Sequence, residues 1–329
     1  MPNAMQRGLT AGVMTLTAAT GAWAQTNGNL NPGALPSSWD PTYNVCRGTD
    51  PKCYNNWNPT RPKNRVLIFS RTAGPRHANI GTALAAGLNP PLNDNNVAQA
   101  NLKAWLAAEG ITADITEDVT QLSGSSNYAA IIFLSNSRDA LWKHGTAVSP
   151  TAAVNTTTSA YLDAAKVNLR NYMRGGGGFV AIHNAFGTEY NWPWYEGLLG
   201  NANYYNHGAA QNGTVHIVGS ADASTAGVSP VFGFHDEWYN LVPYPTKVKF
   251  LATVDEDTLA TKSSAHPGHG SFHPVAWCQY YDGGRAWLTT LGHDAGSFQD
   301  GSSQPGQADF KRLLIQGIKS AMGIPPFCQ

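Results

Sequence analysis

The chain has 329 residues, and 21 Lys plus Arg balance 21 Asp plus Glu for a formal net charge of zero. A nucleic-acid binder needs a basic excess to neutralise phosphate, so the charge argues against that class. With 42% hydrophobic and 13% charged residues it is not a disordered chain, and its length can bury a large core in one large α/β domain or two small ones. The 34 Gly, 20 Pro, 10 Trp and 13 Tyr describe a loop-rich, aromatic-rich globule. Such compositions are common among exported proteins that handle sugars, because aromatic faces stack on pyranose rings.

Residues 1–24 read as an export leader. Arg7 is their one charged side chain, residues 9–22 are apolar or small, and Ala22-Trp-Ala24 offers a small-x-small cleavage pattern before Gln25. Thr and Gly dilute this stretch below what a membrane anchor needs, and no later segment is apolar enough to span a bilayer. The expected location is secreted or periplasmic. Residues 25–63 are rich in Asn, Pro and Trp without periodicity, an extended arm laid on a domain of residues 64–329. Export makes disulfides the default for four cysteines, and locality favours Cys46–Cys53 with Cys278–Cys328 over the other pairings.

Regular elements follow in order. Residues 66–69 form a short apolar run that ends in a Gly/Pro loop, as a buried parallel strand does. Residues 97–109 have helical spacing, stopped by Gly110. Residues 111–115 alternate, and 129–134 predict a second buried strand. Residues 160–173 predict a helix with Leu162, Val167, Leu169 and Tyr172 as its apolar positions; glycines then break it, and 179–182 predict a third buried strand. Alternating continuous apolar strands and helices imply an α/β fold with a doubly wound parallel sheet. The second half predicts strands over 214–218, 248–254, 274–281 and 285–291, a tight turn at Asp282-Gly-Gly284 and a closing helix over 310–322. This is a β-rich insertion or extension of the same domain.

In an open parallel sheet, ligands bind beyond the carboxyl ends of the strands. The residues that follow the predicted strands are Arg76 and His77, then Ser135 and Asn136, then His183 and Asn184, then His293 and Asp294. Three of these four ends offer a histidine. His77, His183, His207 and His293, with Asp236 or Glu237, make an N/O set suited to a divalent metal. His183 and His293 with the carboxylates Asp236 and Glu237 equally suit proton transfer, with Glu189 as a further carboxylate. The sharp turn at residue 183 holds neither Ser nor Cys, which disfavours a serine or cysteine hydrolase. Asn191-Trp-Pro-Trp-Tyr195, with Trp192 and Trp194, reads either as a sugar-stacking wall or as a buried aromatic cluster. The tract His266-Pro-Gly-His269-Gly-Ser-Phe-His273 reads as a flexible loop before a strand in preference to a metal tract.

At these residues the chain resembles the ThuA-like (trehalose utilisation) family, whose fold is class I glutamine amidotransferase-like and flavodoxin-like. The resemblance rests on Val66-Leu-Ile-Phe-Ser-Arg-Thr-Ala-Gly-Pro-Arg-His77, Gly176-Gly-Gly-Phe-Val-Ala-Ile-His-Asn184, Thr188-Glu-Tyr-Asn-Trp-Pro-Trp-Tyr195, Asp236-Glu-Trp-Tyr-Asn240 and Gly284-Arg-Ala-Trp-Leu-Thr-Thr-Leu-Gly-His293, in order along the chain. It implies that His183 stands where amidotransferases carry their cysteine nucleophile, so thiol chemistry on glutamine is not expected. It also implies disaccharide breakdown, in some settings beside dehydrogenases that make 3-keto sugars. Pro75 stands where the family commonly has an aromatic residue.

The expected function is therefore a secreted carbohydrate-active enzyme that cleaves a glycosidic bond, by hydrolysis or by elimination from a 3-keto sugar. His183, His293, Asp236 and Glu237 are the expected catalytic groups. His77, Arg76, Asn136, Asn184, His207, Trp192, Trp194 and Trp238 are the expected substrate contacts, and a divalent metal is the candidate cofactor. The expected partner is a carbohydrate, not nucleic acid, with the oligomeric state open. The alternatives are a non-catalytic sugar-binding domain and a structural metal-binding domain.

Overall fold

A computed structural model describes residues 38–142 and 164–329. The leader, the first part of the arm and Leu162 lie outside the described residues. In chain order the elements are β1 (Trp39–Asp40), β2 (Val45–Gly48), β3 (Arg65–Phe69), α1 (Val97–Ala108), β4 (Thr112–Thr116), β5 (Ala130–Leu134), α2 (Ala164–Arg174), β6 (Gly178–Ile182) and α3 (Pro193–Leu198). They continue with β7 (Tyr204–Asn206), β8 (Gln211–Ile217), β9 (Val231–Asp236), β10 (Asn240–Leu241), β11 (Lys249–Asp255), β12 (His273–Tyr281), β13 (Gly284–Thr289) and α4 (Gln307–Met322).

The main sheet has the order β4-β3-β5-β6-β13-β12-β11-β8-β9. From β4 to β13 every pairing is parallel. From β13 to β9 every pairing is antiparallel. The β-rich region is thus a continuation of the parallel sheet, inserted between β6 and β13. The arm joins it as well, since β2 pairs with β12. The turn between β12 and β13 is the expected one: Asp282 and Gly283 both have positive φ, and Tyr281 faces Gly284.

The continuous apolar strands divide by alternation between two cores. Val66, Ile68, Ile132, Leu134, Val180 and Ile182 pack on α1 and α4, while Leu67, Phe69, Ile131, Phe133, Phe179 and Ala181 pack on α2 and α3. Helices therefore cover both faces, as the doubly wound reading requires. Val167 departs from that reading: it is exposed, and Ala165, Leu169, Tyr172 and Met173 make the buried stripe of α2. Gly110 ends α1 as expected, taking a left-handed φ that L-residues disfavour.

One long-range contact shows that the sheet is curved. β9 lies four strands from β13, which in a flat sheet is about 19 Å. Yet Asp236, the last residue of β9, accepts a 2.7 Å hydrogen bond from the backbone N–H of Gly292 just beyond β13. The antiparallel half curls back over α4, with Phe234 stacked on Phe310.

Both expected disulfides are formed. Cys278–Cys328 closes a 50-residue separation and ties the chain end to the buried strand β12. Replacing both cysteines by serine should lower the unfolding free energy by about 2–4 kcal/mol, since the open chain regains loop entropy. Chemical denaturation of the two forms checks this, and an unchanged midpoint would show that the bridge contributes nothing.

Candidate functional site

Beyond the carboxyl ends of the parallel strands, the loop after β3 brings His77, β6 leads into His183, and the loop after β13 brings His293. The end of β9 brings Asp236 and Glu237. Ser135 and His183 both leave their strands with left-handed backbone, φ 49° and 52°, which costs a non-glycine residue about 1–2 kcal/mol. The chain accepts this cost where it turns sharply at the site.

Glu237 is the centre. Its Oε2 lies 3.2 Å from His293 Nδ1, 3.6 Å from His183 Nε2 and 3.8 Å from His77 Nε2. Its Oε1 lies 3.6 Å from His207 Nε2. Burial alone would raise the Glu237 carboxyl, but the close contact with His293 and the other imidazoles around it hold it well below the carboxylate range. The same contact works in reverse on His293: burial lowers its pKa, and the Glu237 carboxylate outweighs this and raises it.

His183 has no exposed surface. Its Nδ1 is 3.0 Å from the Thr290 carbonyl oxygen, which only accepts, so Nδ1 carries the hydrogen and Nε2 the lone pair. The Tyr239 hydroxyl donates to that Nε2 at 2.9 Å. Burial, with His77 and His293 beside it, lowers the pKa of His183 well below its ordinary value, so the ring is neutral.

His77, His183, Glu237 and His293 each offer one ligand atom, and these four atoms lie within 4.8 Å of one another. Ligand atoms about 2.1 Å from a tetrahedral zinc-like ion stand about 3.4 Å apart. The separations around Glu237 bracket that figure. His183 is neutral and is oriented by the Thr290 carbonyl, as outer-shell partners orient metal-binding imidazoles. The donor set fits a divalent metal.

In front of this cluster opens a cavity of about 350 Å³, at the small end of ligand-site sizes. His77, His207, Asn184 and Glu237 line it, with Tyr190, Tyr204 and Tyr239. Pro75 and Arg138 line it too. The three tyrosines and Arg138 escaped the sequence reading. A signal was available for Tyr239: alternation of extended chain in Asp236-Glu-Trp-Tyr-Asn240 puts Glu237 and Tyr239 on one side.

Several expected site residues lie elsewhere. His183 and His293 belong to the Glu237 cluster but not to the cavity wall. Asp236 does not line the cavity, and its buried carboxyl accepts from the backbone N–H groups of Glu237, Gly292 and His293. Burial raises its pKa to about 8 against the pull of those donors. Trp192, Trp194 and Trp238 are not a sugar-facing wall. All three are buried, Trp192 stacking on Trp194 and Trp238 donating to the Gln211 carbonyl. Arg76 is taken up by Glu117 and the carbonyls of Ile80, Gly81 and Thr82. Buried Asn136 ties two strand ends together, its Nδ2 donating to the carbonyls of Phe69 and Arg71. Glu189 is buried in an ion pair with Lys166 at 2.8 Å.

The histidine tract is also more than a plain loop. It is built around Glu256, which accepts from the His269 backbone N–H and from Lys262 Nζ at 2.9 Å, and lies 2.7 Å from His273 Nδ1.

The domain model described as ThuA, trehalose utilisation, matches residues 65–319. Among solved structures, a protein from Bacteroides uniformis described as ThuA-like is 18% identical, with 78% of this chain and 90% of that chain covered and a TM-score of 0.50. A second ThuA-like protein, from Parabacteroides merdae, is 16% identical, with 78% and 89% covered and a TM-score of 0.50. A Thermoplasma acidophilum protein described as part of a GMP synthase is 10% identical, with 79% of this chain and 96% of that chain covered and a TM-score of 0.41. No curated protein sequence matches the chain. The fold is an α/β fold with a largely parallel central sheet, like those of the two ThuA-like proteins, with histidine at the turn after β6. The chain belongs to the ThuA family.

Glu256 generates a prediction about acid stability. Burial raises its carboxyl, but His273, Lys262 and the His269 amide together hold it down at about 2. A depressed folded pKa contributes stability above the ordinary carboxyl pKa and loses it as pH falls toward about 2. Between these limits the wild-type chain should lose more stability than Glu256→Gln, in thermal melts at stepped pH. Parallel losses would show that the pair contributes nothing.

Proposed function

We propose that this chain is an exported enzyme that cleaves a glycosidic bond by elimination from a 3-keto sugar, with a divalent metal held by His77, His183, Glu237 and His293. The observation that carries this reading is the cavity wall. Among the described residues it holds one carboxylate, Glu237, beside His77 and His207. Glycosidases commonly place two carboxylates about the scissile bond, and elimination needs no such pair. The trehalose-utilisation family supports a sugar substrate, as do three tyrosines at the wall. Two disulfides support an oxidising compartment.

A keto group at C3 acidifies the proton on C2. A base removes that proton, the C1–O bond breaks as a C1–C2 double bond forms, and the departing oxygen takes up a proton. His207 is the base in this reading. Its Nδ1 donates to the Gly208 carbonyl, which leaves the Nε2 lone pair beside the cavity. Tyr239 stays protonated because burial raises its pKa well above 10, and its hydroxyl is the donor for the departing oxygen. When bound, a divalent ion supplies Lewis-acid polarisation of a carbonyl oxygen.

Product release measured by mass spectrometry, from glycosides offered plain and as 3-keto forms, tests the reaction. The 3-keto forms should be cleaved, and His207→Ala should lower kcat by roughly 10²–10⁴-fold. Intact 3-keto glycosides with folded, metal-supplied protein overturn the reading, as does an equal rate on plain glycosides.

The metal has its own test. Calorimetric titration of chelator-treated protein with zinc should show one site, and ion at a hundred times Kd should add about 2.7 kcal/mol of stability. Glu237→Gln should abolish uptake. Wild-type protein that takes up no divalent ion removes the metal from the proposal.

A further inference from the structure

The tract around Glu256 plays no part in the chemistry above, yet its hydrogen bonds assign a hydrogen to each ring nitrogen involved. His273 and Glu256 are both buried. His273 Nε2 lies 2.9 Å from the Tyr239 carbonyl oxygen and its Nδ1 lies 2.7 Å from Glu256 Oε1. A carbonyl oxygen only accepts, so Nε2 carries a hydrogen. Glu256 already accepts from Lys262 and from the His269 amide, which marks it as an ionised carboxylate, and the hydrogen in its contact with Nδ1 belongs to the ring. An imidazole that donates from both nitrogens is an imidazolium.

His269 has the opposite assignment. The backbone N–H of Leu241 donates to its Nε2 at 2.9 Å, so that nitrogen carries a lone pair. Burial, with His273 and His266 nearby, lowers the pKa of His269 to about 4. The two rings therefore grip the backbone on either side of Asn240, one at the Tyr239 carbonyl and the other at the Leu241 amide. Gly268 allows the close approach: its φ is +93°, and a Cβ there would overlap the Glu256 carboxylate.

This grip bears on Tyr239. The Tyr239 ring lies 4.7 Å from His183 and 4.5 Å from Tyr204, and its hydroxyl reaches His183 Nε2. We propose that the Glu256–His273 carboxylate–imidazolium pair is a positioning device that, through the Tyr239 carbonyl, sets the Tyr239 hydroxyl on His183. Neither residue touches the cavity, so both are positioning residues. The proposal rests on these contacts and not on the reaction: it survives if no sugar is cleaved, and the reaction survives if it fails.

Nitrogen-15 NMR of the full chain labelled at histidine, free of metal and at neutral pH, reads the protonation states directly. His273, assigned by the signals lost in His273→Gln, should carry hydrogens on both ring nitrogens, and His269 on one. Glu256→Gln should return His273 to the neutral form. Tyr239→Phe gives the His183 resonances that mark a lost hydroxyl contact. His273→Leu should move His183 toward those values. His273→Gln, which keeps a donor for the Tyr239 carbonyl, should move it less. A neutral His273 in the wild-type chain overturns the proposal. So does a His273→Leu variant that lowers Tm and leaves His183 unmoved, the result of a merely structural role. If His273→Leu does not fold, the wild-type and Glu256→Gln spectra still decide.

Discussion

The site depends on the buried Asp236 carboxyl more than on any other single group. It is buried, and it accepts backbone hydrogen bonds from Glu237 on its own strand end and from Gly292 and His293 beyond β13. Those bonds fasten the curled antiparallel half of the sheet to the parallel half. They also bring Glu237 to His293, which no pairing of neighbouring strands does. A carboxyl group at this position is a fastener, and its burial keeps water from competing for the backbone donors.

Burial then sorts the histidines into different states. His183, fully enclosed and hydrogen-bonded at Nδ1, is neutral and presents a lone pair. His293, half-buried beside Glu237, is pushed toward its charged form. His207 lies at the open cavity with its Nε2 toward Glu237. One residue type thus stands in a sealed neutral setting, beside a carboxylate and at the open cavity, and burial with hydrogen-bond partners separates these settings.

The second tier repeats this economy with the opposite purpose. Around Glu256, His273 contacts the Tyr239 carbonyl and His269 accepts from the Leu241 amide, and together they hold a short backbone segment. The Tyr239 ring of that segment packs on both His183 and Tyr204. The segment that carries a cavity-lining tyrosine is thus in contact with a tract 28 to 34 residues further along the chain.

The sequence by itself determined the parallel half of the fold, the covalent bridges and the identity of the rim. Continuous apolar runs such as 66–69 and 179–182 admit burial on both faces, and residues that directly follow such strands must appear at one edge of the sheet. His77, His183 and His293 were legible for that reason. Roles were not, because they depend on depth and direction. Whether Trp192 faces sugar or core, whether Asp236 faces substrate or backbone, and whether Arg76 is available or spent are settled by packing between segments far apart in sequence. Only the curl of the antiparallel half decided that Glu237, rather than Asp236, would sit among the histidines, because adjacent residues of an extended chain point opposite ways and the fold chooses which side becomes the site.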